Sequence, residues 1–170
     1  MVITELFPGG SLKNKAWAEE IKRELDPGLN VSVVYWNDWE KGQDARVDFG
    51  LESSKALIII GDKPYNILAK SVGSIVAVQV LAKAGRLPEK IVLCGLPLND
   101  FPSEILEAYK ILSGIPAEKI LCIQNDQDPH GSFVQVKEFL AKINPGIKVV
   151  SKPADNHSYP YPEDFRDFLL

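Results

Sequence analysis

The chain has 170 residues, 45% of them hydrophobic and 25% charged, with a formal net charge of -4 and a pI near 5.2. That length favours a single domain, residues 1–170, with its own core, and is too short for two comfortable ones. The mildly acidic balance and scattered Lys and Arg give no electrostatic basis for nucleic-acid binding, and no apolar run reaches the roughly 18 residues of a membrane span.

The opening run "VITELF" lacks the charged, apolar, then small-residue order of a signal peptide, so a cytoplasmic location is expected. The run reads instead as a first strand, followed by the Gly-rich turn "GGS". Asn14 to Leu25 is expected to be an amphipathic helix with Ala16, Trp17, Ile21 and Leu25 near one face. "DPG" breaks it, "LNVSVVYW" gives a second strand, and "NDWEKGQ" a polar loop. Residues 44–62 are ambiguous, because "LIII" resembles a buried strand. A helix is preferred there, since two parallel strands need a crossover between them.

"YNILA" then reads as strand and "SIVAVQVLAKAG" as helix, closed by Gly85. The alternation continues with "KIVLCG" as strand, "SEILEAYKIL" as helix with Ser103 as its N-cap, and "KILCIQ" as strand. "GSFVQVKEFLAKI" follows as helix, "GIKVVSK" as the last strand, and "PEDFRDFLL" as a terminal helix begun by proline. About six strands with intervening helices predict an α/β fold: a doubly wound, mainly parallel sheet with helices on both faces. Ligands gather at the carboxyl ends of strands in such a sheet. The residues that follow each strand are therefore the functional candidates.

Several chemistries are disfavoured. Cys94 and Cys122 each end an apolar run, as reduced core thiols do, and no disulfide is expected. Two histidines without H-x-x-x-H spacing make a metal centre unpromising. Neither phosphate-binding glycine pattern, G-x-x-x-x-G-K-[ST] nor G-x-G-x-x-G, is present. No metal or other cofactor is expected.

The candidate chemistry centres on "AKSVGS", residues 69–74. A serine between strand and helix, with the small residues Ala69 and Gly73 two places to either side, fits a strained turn that lifts its hydroxyl above the sheet. Serine is a weak nucleophile at neutral pH and needs a base oriented by a carboxylate. Asp128, after the fifth strand in "QNDQDPHGS", and His157, after the sixth in "ADNHSYP", complete the order Ser71, Asp128, His157. Asp126 competes with Asp128 for the acid position, and His130 reads as an exposed loop residue.

In these residues the chain resembles a small, lidless member of the α/β-hydrolase superfamily and, more loosely, the compact serine hydrolases related to retinoblastoma-binding proteins. Ala69 replaces the glycine commoner in that family. The resemblance implies an oxyanion hole from the backbone of Val72 and of the "FPGGS" loop, with Phe7 as second donor, or Gly9 if the loop is shifted. Trp36 and Trp39 are candidates either for a substrate pocket, with Leu96, Leu98 and Phe101 opposite them, or for packing a helix onto the sheet edge, and Lys70 is a neighbour with a binding or a local pairing role. The expected partner is a small acyl substrate, an ester or thioester, and not nucleic acid or membrane. A binding or scaffolding protein that keeps the fold without turnover is the alternative.

Overall fold

The computed structural model describes residues 1–170. The apolar runs form six strands: β1 (Ile3–Phe7), β2 (Asn30–Val33), β3 (Tyr65–Lys70), β4 (Ile91–Cys94), β5 (Ile120–Asn125) and β6 (Lys148–Lys152). All pair in parallel, in the order β2-β1-β3-β4-β5-β6. The helices are α1 (Lys13–Leu25), α2 (Phe49–Ile60), α3 (Val72–Ala84), α4 (Ser103–Leu106), α5 (Phe133–Ile143) and α6 (Pro162–Leu169). None is long and apolar enough to cross a membrane.

Alternate side chains along each strand enter two different cores, which is why the central strands read as unbroken apolar runs. Ile67 and Ala69 of β3, Ile91 and Leu93 of β4, and Ile120 and Cys122 of β5 pack with α2, α3 and α5. Leu68, Val92, Cys94, Leu121 and Ile123 face the other way, onto Ala18, Ile21 and Leu25 of α1 and Phe165 and Leu169 of α6. The sheet is thus doubly wound, and its order reverses between β1 and β3. That reversal opens a crevice at the carboxyl ends of the two strands.

Some local expectations change. Ile21 and Leu25 of α1 are buried as expected, but Ala16 is exposed, and Asn14 and Ala18 are buried beside them. Ser103 is the first residue of α4 and caps nothing; the stretch after it continues as a 3-10 helix over Glu107–Gly114. Residues 49–60 are helical as expected, and "LIII" resembles a strand because Ile58 and Ile59 lie on the exposed side of α2.

Candidate active site

Ser71 joins β3 to α3 with φ 53° and ψ -131°, and no other non-glycine residue has positive φ. Such a conformation costs about 1–3 kcal/mol and persists only where the surroundings impose it. They do so here. Ser71 N donates to Cys94 O at 3.0 Å, and Ser74 Oγ donates back to Ser71 O at 2.6 Å and contacts the buried Tyr109 hydroxyl. A Cβ on Gly73 would lie 2.3 Å from Phe7 O and 2.5 Å from Pro8 O, so only glycine lets α3 start this close to β1.

Asp128 and His157 come together from the loops after β5 and β6, with His157 Nδ1 2.7 Å from Asp128 Oδ2. The carboxylate also accepts Tyr159 OH at 2.5 Å and His130 N at 2.8 Å. Burial alone raises the carboxyl pKa, but these hydrogen bonds outweigh it and hold Asp128 below the ordinary value. Asp126 points elsewhere, accepting the Ser151 hydroxyl. Asn125 fixes the histidine loop, its side-chain amide donating to Asn156 O and Ser158 O, both at 2.8 Å, on either side of His157.

The imidazole lies over the end of β4, since a Cβ on Gly95 would come within 3.0 Å of His157 Cε1. Gly95 follows Cys94, the residue to which the Ser71 backbone is bonded. His157 Nε2 is buried without a hydrogen-bond partner. Ser71 Oγ does not bond to it directly, a looseness common in free enzymes, whose catalytic contacts tighten around substrate.

Ser71 and Val72 open onto a cleft of about 370 Å³ at the β1/β3 reversal, lined also by Gly10, Ser11, Val47, Phe49, Asp100 and Phe101. A larger hollow of about 870 Å³ lies at the opposite, amino ends of the strands, around Met1, Pro27 and Leu170, away from these groups. Val72 N–H is at the first position of α3, where it has no intrahelical acceptor and sits at the positive end of the helix dipole.

Phe7 is placed differently from the expectation. It is the fully buried last residue of β1, its carbonyl is packed against Gly73, and the cleft is lined by Gly10 and Ser11 instead. Trp36 and Trp39 are likewise buried rather than set along the cleft. Their indole N–H groups donate to Gly9 O at 3.0 Å and Gly10 O at 3.1 Å, and Ala45 N also donates to Gly10 O at 2.8 Å. In a trans peptide the N–H points opposite to the carbonyl. Anchoring these two carbonyls therefore turns the Gly10 and Ser11 N–H groups the other way. Leu96 is buried in the core, and of the proposed opposite wall Phe101 reaches the cleft, in edge contact with Phe49.

No family model and no curated protein matches the sequence. Solved structures do. An α/β serine hydrolase homologue from Coxiella burnetii aligns over 99% of this chain and 83% of its own, with TM-score 0.72 and 18% identity. A Xanthomonas campestris protein described as an α/β serine hydrolase without lid aligns over 99% and 78%, with TM-score 0.66 and 16% identity. The chain has the α/β-hydrolase fold. A YdeN-like protein from Pectobacterium atrosepticum shares it, at TM-score 0.66 and 14% identity over 98% of this chain and 90% of its own.

Within this hydrolase fold, several residues around the candidate site carry no sequence signal of their own. Tyr159 and Asn125 act through partners 31 to 33 positions away. His130 is not simply a loop residue, because its ring lies 4.2 Å from that of His157 and its Nδ1 is 2.6 Å from Asp100 Oδ2.

Proposed function

We propose that the protein is a serine hydrolase that cleaves small acyl esters or thioesters through Ser71, His157 and Asp128. The observation that carries this reading is the forced positive-φ Ser71 backbone together with a hydrogen-bonded pair of buried Asp128 and half-buried His157, whose outer ring nitrogen is unspent. Ser71 Oγ attacks the acyl carbonyl while His157 Nε2 takes its proton, and Asp128 holds Nδ1–H so that the imidazole keeps the right tautomer. The oxyanion is received by Val72 N–H and by the Gly9–Ser11 turn. His157 returns the proton to the leaving alcohol or thiol. Water, deprotonated by the same imidazole, then releases the acid from the acyl-enzyme.

The cleft walls Val47, Phe49 and Phe101 suit a short apolar acyl group. No Lys or Arg lines the cleft, whereas Asp44 and Asp100 do, which disfavours anionic substrates. The buried, unbridged Cys94 and Cys122 fit a reducing compartment, consistent with the cytoplasm. The open Ser71–His157 contact favours, as second reading, a binding protein that retains the fold.

Turnover of a short-chain nitrophenyl ester tests the proposal. A burst of nitrophenol equal to the enzyme concentration, with acetyl on Ser71 by mass spectrometry, is expected. Absence of turnover and adduct in folded protein would favour the binding reading.

A further inference from the structure

Lys70, the residue just before Ser71, is 5% exposed and fully enclosed between β3 and α1, yet no carboxylate lies within ion-pair distance. Buried lysines without a contacting acid are rare, since the ammonium loses its water and gains no ion pair in return. Burial lowers its pKa, and the fields of Cys94 and the more distant Asp128 offset this only in part. A methionine would fill the same space at smaller cost. The packing of α1 on the sheet therefore does not explain a cation at this position.

Its contacts point to a different role. Lys70 Nζ donates to Asn14 Oδ1 at 2.5 Å and stands 5.2 Å from the centre of the Trp17 ring. The Asn14 amide in turn lies directly under Gly9, where a Cβ would meet Asn14 Nδ2 at 2.6 Å and Cγ at 2.9 Å. Gly9 begins the turn whose carbonyls are held from the other side by Trp36 and Trp39. The turn is thus gripped behind by two indoles and supported beneath by one amide. The lysine holds the oxygen end of that amide, while its nitrogen end lies nearer Gly9.

We infer that Lys70 is a positioning residue that, through Asn14, sets the Gly9–Ser11 turn in the geometry needed to receive an oxyanion. This rests on the hydrolase reading proposed above. The effect falls on a group engaged in the transition state, so it belongs in kcat rather than in KM. A purely structural lysine would show the opposite signature: loss of stability with no specific effect on the turn.

The test compares wild type with Lys70→Met, Asn14→Leu, their double variant, and Asn14→Asp, which keeps an acceptor for the ammonium. The first readout is backbone amide NMR of Gly9, Gly10 and Ser11; the second is the rate of Ser71 phosphonylation by a fluorophosphonate. Lys70→Met is expected to melt no lower than wild type, to broaden or shift the turn resonances, and to react about tenfold or more slowly, within the range for a misplaced oxyanion donor. Asn14→Leu should match it, the double variant should be no slower than either, and Asn14→Asp should stay near wild type. Unchanged turn resonances in Lys70→Met, or an unchanged rate in a protein that labels, overturns the inference. If wild type does not label at all, the hydrolase reading falls, and the resonances still decide whether Lys70 sets the turn.

Discussion

Tyr159 donates its hydroxyl to the Asp128 oxygen that also faces His157. One carboxylate oxygen therefore orients the imidazole while being fixed by a phenol, and the phenol in turn accepts Asn125 N at 3.1 Å. Tyr159→Phe removes that link and leaves the ring packing. The Asp128 pKa is held low in the folded protein, so the stability this provides is present above the unfolded carboxyl value and is lost as pH falls through the folded one. With a weaker hold, the variant should lose about 1–3 kcal/mol of stability near neutral pH, and acid unfolding should begin at higher pH. Urea titrations across pH check this, and phosphonylation should slow in parallel as His157 loosens.

Gly73→Ala tests the close approach of α3 to β1. Its Cβ would sit 2.3 Å from a backbone oxygen, which no rotamer change can relieve. A loss of about 3 kcal/mol or more is expected from overpacking against rigid backbone, read as a drop in urea midpoint. A melt like wild type would contradict the geometry assigned to the elbow.

Glu5 lies in the middle of β1, fully buried, with neither carboxyl oxygen hydrogen-bonded. Burial pushes its pKa up to about 8, and the nearby Ser32 hydroxyl offsets this only in part. Between the unfolded value near 4.5 and this folded value, the native state holds the proton more strongly than the unfolded chain does. Stability should therefore fall as pH rises across that window, by up to about 1.4 kcal/mol per pH unit. Glu5→Gln should flatten this dependence, as measured by urea unfolding from pH 5 to pH 9.

Trp36→Phe and Trp39→Phe separate two roles for the indoles. Each keeps most of the buried ring and removes one donor from a turn carbonyl. If the indoles anchor the turn, kcat on a nitrophenyl ester should fall several-fold with KM little changed. A changed preference for acyl chain length at constant kcat would return the tryptophans to the pocket wall.

The order of strands and helices was legible because each central strand is buried on both faces and reads as an apolar run, while α1 and α5 carry helical spacing. The elbow was legible because small residues flank Ser71 in sequence. Other features depend on distances the sequence does not encode. Burial of Trp36 and Trp39 follows from how the loop after β2 folds back onto the turn after β1, and the residues alone do not show whether an aromatic faces a cleft or a carbonyl. Ser103 looked like a cap because its type suits one, but Pro102 holds the cap position. Lys70 reads from the sequence as a substrate-binding or locally paired residue, and only the packing of α1 over β3 reveals that its acceptor is an asparagine.

The central claim is that Ser71 is a nucleophile activated by His157. Labelling of purified protein with a fluorophosphonate, followed by peptide mass spectrometry, tests it most directly, run beside Ser71→Ala and His157→Ala. The account predicts a stoichiometric adduct on Ser71, abolished by the first substitution and slowed by about a hundredfold or more by the second. No adduct on folded wild type, or an adduct indifferent to His157, would contradict it.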